Sequence, residues 1–228
     1  MSLNEFISKE PRALPIFILA DKSGSMSGEK ISELNLALRE MLNSLRNVDD
    51  IRGKFQLSVI GFGGNVDVVQ PLADIEGIIL QELSADGETP MGEAFSTVTA
   101  MIEDKNVVSS RAYTPTIVLI SDGQPTDFYS NGRNYLEWEP LQKLHSGNRT
   151  AKCQRLAMGI GSDANFEMLK AFVKNPELPI VKARDASGIS AFFRWVTMST
   201  INRMNSVNPN ETSVMPPVFD VNSVEVII

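Results

Sequence analysis

The amino-acid sequence predicts an α/β fold: a doubly wound three-layer sandwich with a mostly parallel central sheet and one antiparallel edge strand. Three observations carry this. Apolar runs of strand length alternate with longer amphipathic runs of helical period. One run, Thr116–Ile120 (TIVLI), is continuously apolar, as a strand covered on both faces requires. Two neighbouring strand-like runs, Phe55–Phe62 and Val66–Leu72, are joined by Gly63-Gly64-Asn65, a turn that suits an antiparallel hairpin.

The elements follow in order. Pro15–Ala20 (PIFILA) reads as a buried strand. Lys30–Leu45 reads as a helix, because Ile31, Leu34, Leu38, Met41, Leu42 and Leu45 recur every three or four residues. After the hairpin, Pro71 is expected to end its strand or hold it at an edge. Met91–Asn106 is helical in pattern, and Thr116–Ile120 is the central parallel strand. Within the long segment Gln124–Thr150, Tyr135–His145 has helical character that Pro140 should bend or interrupt. Cys153–Ile160 is a strand, Phe166–Val173 a helix, Pro179–Lys182 a short strand and Ile189–Met204 a final helix. Residues 1–204 thus read as one body and 205–228 as a C-terminal tail. Phe219–Ile228 has strand composition and is expected to dock on that body or to serve as a partner-binding strand.

Composition excludes several function classes. With 228 residues the chain is long enough for one domain and an extension. It carries 21 Lys+Arg against 28 Asp+Glu, a formal charge of −7, which argues against a general nucleic-acid binder. One Cys and one His cannot build a disulfide framework or a Cys/His zinc site within the chain. The apolar runs, such as Leu14–Ala20, fall far short of the roughly 20 residues that span a bilayer. Met1–Glu10 lacks the basic start of a signal peptide. The expectation is a cytoplasmic protein without membrane or nucleic-acid partners, with Cys153 reduced and buried.

The chemistry concentrates in three short pieces. Asp21-Lys22-Ser23-Gly24-Ser25 follows the first strand and precedes a helix. Asp122 lies just beyond the Thr116–Ile120 strand. Thr89 sits in Gly87-Glu88-Thr89-Pro90-Met91-Gly92, a loop before a helix. Ligands of open α/β sheets bind outside the carboxyl ends of the strands, and all three pieces have that address. Asp21, Ser23, Ser25, Thr89 and Asp122 offer two carboxylates and three hydroxyls, a hard oxygen set that suits Mg²⁺ or Mn²⁺. Each piece alone is also an ordinary turn or helix cap.

Together, Asp21-x-Ser23-x-Ser25, Thr89 and Asp122 resemble the metal-ion-dependent adhesion site of the von Willebrand factor type A family, over roughly residues 14–200. ILADKSGSMSGEKI, GETPMGEAF, IVLISDGQPTD and FFRWVTMS are most similar to the bacterial TerY-like members linked to tellurium resistance and stress response. The resemblance implies a Rossmann-like fold and an intracellular protein–protein interaction module without catalytic activity. It implies that Ser23 and Ser25 bind Mg²⁺ (or Mn²⁺) directly, with Thr89, Asp21 and Asp122 direct or through water. It also implies that the Asp or Glu of a separate protein completes the shell. A zinc-ribbon, kinase-like or phosphatase-like protein is the expected kind of partner.

The alternative is a metal-dependent phosphoester hydrolase or phosphotransferase using Asp21 and Asp122. No Gly-Lys-Ser/Thr phosphate loop accompanies it. A third reading is a structural ion that only steadies a loop. Elsewhere, His145 suits a helix end or solvent better than catalysis, and Cys153 suits the core better than a nucleophile. Asp127 and Glu88 read mainly as surface carboxylates near the rim. Met26, Met91, Phe128, Tyr129 and Trp138 either form a docking surface or pack the long segment onto the body. Lys22 and Arg133 are candidate contacts for acidic partner groups.

Overall fold

The structure is a computed structural model, and it describes residues 11–48, 53–129, 134–210, 219 and 223–227. Arg133 and half of the 205–228 tail lie outside the described residues. Among the described residues, seven strands form one sheet: β1 (Arg12–Asp21), β2 (Gly53–Gly63), β3 (Asn65–Asp74), β4 (Thr116–Ser121), β5 (Gln154–Ile160), β6 (Ile180–Ala183) and β7 (Val224–Ile227). Their order is β3-β2-β1-β4-β5-β6-β7. The chain winds outward from β1 to β2 and β3, then returns to the other side of β1 with β4. The order therefore reverses between β1 and β4, where loops at the carboxyl ends diverge and leave a crevice.

Helices cover both faces: α1 (Glu29–Arg46), α2 (Met91–Glu103), α3 (Glu139–Ser146), α4 (Phe166–Val173) and α5 (Ser187–Asn205). Alternation along β1 serves two cores. Leu14, Ile16, Ile18 and Ala20 pack toward α1 and α5, while Phe17 and Leu19 pack toward α2 and α4. Each of these larger side chains is fully buried and contributes about 1.5–3 kcal/mol by leaving water. The β1–β4 register pairs Ala20 with Ile120, so Asp21 and Ser121 leave the core side by side.

The sheet differs from expectation at its edges. Both edge strands are antiparallel, not one: β3 on β2 and β7 on β6. The second arises from the tail, whose β7 pairs Ile227 with Ile180 and Val224 with Ala183. The Arg184 amide donates to the Ser223 carbonyl at 3.0 Å, and the Phe219 ring meets Trp195 at 5.9 Å between centroids. Pro71 does not end β3, which continues to Asp74 across shifts in register with β2. An edge position spares Pro71 the missing donor. Tyr135–His145 is interrupted as expected: a 3-10 turn, Tyr135–Glu137, is separated by the extended Trp138 from α3. Pro140 lies in the first turn of α3, where an absent N–H costs nothing. Among the described residues, no helix is long and apolar enough to cross a membrane.

Candidate functional site

The rim is assembled by backbone before any side chain is considered. The Lys22 amide donates to the Phe62 carbonyl at 2.8 Å, and the Asp86 amide to the Lys22 carbonyl at 2.8 Å. Gly24 donates to Gly87 at 2.9 Å and Gly64 to Glu88 at 2.8 Å. These bonds tie the loop after β1 and the loop before α2 to each other and to the β2–β3 turn. Such closeness requires glycine. A Cβ on Gly63 would lie 2.2 Å from the Lys22 carbonyl oxygen, and one on Gly87 2.4 Å from the Gly64 Cα. Gly87 also has φ of +70°, which glycine adopts freely.

On this frame the side chains converge. The Asp21 carboxylate is fully buried and accepts from the Ser23 amide at 2.9 Å and the Ser121 hydroxyl at 2.6 Å. Burial pushes its carboxyl above the usual carboxylate range. The bonds from Ser121 and Ser23 oppose that rise, and the charge of Asp122 adds to it. Ser25 donates to Asp122 Oδ1 at 2.7 Å. The Ser23 and Ser25 hydroxyl oxygens are 3.0 Å apart. Since Ser25 has one proton and spends it on Asp122, Ser23 is the donor of that pair.

Thr89 reaches the same point from the loop before α2. A Cβ on Gly123 would stand 3.8 Å from Thr89 Oγ1 and 3.9 Å from Ser25 Oγ, so Gly123 keeps the space beside both hydroxyls open. The Thr89 amide donates to Thr126 Oγ1 at 3.1 Å, and the Thr126 amide donates back to the Thr89 carbonyl at 2.9 Å. All five anticipated residues therefore stand at one end of the β1–β4 crevice. Residues 16–124, which contain all five, match the family model of the von Willebrand factor type A domain. That stretch is similar in sequence to a von Willebrand factor type A domain.

Comparisons place the domain among known proteins. It is 26% identical over 174 residues to inter-alpha-trypsin inhibitor heavy chain H2 of Sus scrofa, covering 72% of this chain and 17% of that one. The chain thus spans about a sixth of the length of that curated relative. The structure of a von Willebrand factor type A protein from Catenulispora acidiphila superposes with a TM-score of 0.64 at 18% identity, covering 82% of this chain and 42% of that chain. Proximal thread matrix protein 1 of the mussel byssus, in a structure described as having a zinc occupied MIDAS motif, gives 0.60 at 16% identity, covering 83% and 48%. At these identities the solved structures bear on the fold alone.

Three residues at the rim were given no role at the site by the sequence. Ser121 anchors Asp21, Thr126 anchors Thr89, and the Lys30 ammonium touches Asp122 Oδ2. Lys30 had a signal: a cation in the first turn of a helix opposes the helix dipole and needs a reason. Ser121 had one too, as the polar residue closing an apolar strand. Thr126 had none.

Several neighbours pack inward. Met26 and Met91 are fully buried and present no docking surface. Trp138 is buried against Phe95 and Phe128, which fastens the segment after β4 to the body, while Tyr129 is exposed. Lys22 turns to the Gly63 carbonyl, Asn65 and Asp67. Asp127 Oδ2 accepts from the Glu93 amide at 3.0 Å and so holds the start of α2. Cys153 is buried, which pushes its thiol up to about 12.

Proposed function

We propose that this domain is a divalent-metal-dependent protein-binding module, in which Asp21, Ser23, Ser25, Thr89 and Asp122 hold Mg²⁺ or Mn²⁺. The observation that carries the reading is the 3.0 Å separation of the two serine hydroxyls beside Asp122. Neighbouring ligands of an octahedral ion with 2.0–2.1 Å bonds stand about 2.8–3.0 Å apart. The donor set is oxygen only, as hard cations prefer. Asp21 supports it as well: a fully buried carboxylate gains from a cation close by. With fewer than two carboxylates bound directly and the hydroxyls neutral, the doubly charged ion keeps residual positive charge, and a remaining position attracts an acidic group from outside.

The fold and family support a partner that is a separate protein presenting Asp or Glu. The resemblance to TerY-like members supports a cytoplasmic stress-response assembly that includes a zinc-ribbon, kinase-like or phosphatase-like protein. The test is calorimetric titration of Mg²⁺ and Mn²⁺ into the full chain and into Ser23→Ala and Thr89→Ala. Each variant should bind about 10–100-fold more weakly, at least the loss seen when an outer partner of a metal ligand is removed. Circular dichroism should show the fold unchanged. Equal ion affinity in all three proteins overturns the site. Phosphate release from phosphoesters that disappears in Asp21→Ala would replace the binding module with a hydrolase.

A further inference from the structure

We propose that Lys30 is a tethered cation that competes with the divalent ion for Asp122 and thereby sets the ion affinity of the rim. This rests on the metal-binding reading above. The Lys30 ammonium touches Asp122 Oδ2 and donates to the Ser25 carbonyl at 3.2 Å. Ser25 occupies Asp122 Oδ1, so both oxygens of this nearly buried carboxylate are already engaged. A divalent ion reaching Asp122 meets a positive charge in place.

Three features make the contact an exchangeable one. Lys30 is the second residue of α1, and the amino end of a helix repels a cation, so Asp122 is what holds the ammonium there. About a third of its side chain, 34%, faces solvent, which leaves a path by which the flexible stem moves the ammonium into water. The neighbouring cation, Lys22, is turned toward Asp67 and the β2–β3 turn and offers Asp122 no replacement. Binding of the ion is therefore an exchange, one charge of the protein displaced by two from solution.

A purely structural lysine and a competing one give opposite results when the charge is removed. Lys30→Gln and Lys30→Arg would be prepared in the full chain, with Lys30→Met replacing the glutamine variant should that one fail to fold. Titration of Mn²⁺ and Mg²⁺ would be paired with thermal melting in chelator. Lys30→Gln should bind Mn²⁺ roughly two- to fivefold more tightly, the scale of one partly exposed ion pair, and melt lower in chelator. Lys30→Arg should behave as the parent chain. If the parent binds Mn²⁺ and Lys30→Gln binds it equally or more weakly, the competition is overturned and the ion site stands. If neither the parent nor any variant binds either ion, both proposals fall.

Discussion

Gly63 shows how much of the candidate site depends on a single missing methyl. A side chain there would strike the Lys22 carbonyl, which is backbone and cannot swivel aside. Gly63→Ala should therefore cost about 1–3 kcal/mol in urea denaturation, the usual penalty of forcing atoms into a packed site. It should also weaken Mn²⁺ binding, since Ser23 follows Lys22 directly. His145 belongs to the fold. Its Nε2–H donates to the Phe172 carbonyl at 3.1 Å, and burial lowers its pKa from 6.5 to about 4. Between those values the unfolded chain takes up a proton that the folded chain refuses. The stability carried by the neutral ring is thus complete above pH 6.5 and lost as pH falls toward about 4. The melting temperature of His145→Gln should fall less steeply than that of the parent across this window. Sequence pattern singled out Asp21, Ser23, Ser25, Thr89 and Asp122, which the fold brings together, because residue type and position at a strand end or before a helix are local properties. It did not find Thr126, because its contact with Thr89 is made by folding and leaves no periodic trace.

Among the elements, α2 depends on a residue far from it in the chain. Asp127 accepts from the Glu93 amide in the first turn, 34 residues earlier, as a side chain capping a helix from outside. Asp127→Ala should destabilise the protein by about 0.5–2 kcal/mol, the usual worth of such a cap, measured by denaturant titration. β1, β4 and α1 were legible because continuous apolar runs and a three-to-four spacing leave few choices. α3 was harder. Pro140 reads as a breaker when the start of the helix is unknown and as a first-turn residue once that start is placed at Glu139. Pro71 is similar: whether a proline ends a strand depends on whether the strand has a neighbour on that side, and sequence order does not reveal neighbours.

For the molecule as a whole, β7 is the clearest case of a contact that pattern could suggest but not direct. The apolar tail had two destinations, the body or a partner, and it pairs with β6. Ending the chain at Asn210 should expose the β6 edge and lower the melting temperature by several degrees, since about 1 kcal/mol corresponds to roughly 2–4 °C at this size. Ion affinity should be unchanged, because β6 and β7 are separated from β1 by β4 and β5. Arg203 ties the body together in a comparable way. It is buried and spans the Pro209 carbonyl, Thr116 Oγ1 and the Thr114 carbonyl. The loops of the rim, by contrast, are fastened through main-chain bonds at Lys22, Gly24, Gly64 and Asp86, which leaves the exposed side chains of Asp86 and Glu88 without a structural duty there. Substitution at these two positions can therefore alter which acidic or basic surface the domain tolerates while the oxygen donors stay where they are. Under the proposed function, partner choice in such a design drifts over evolutionary time independently of the chemistry beside it.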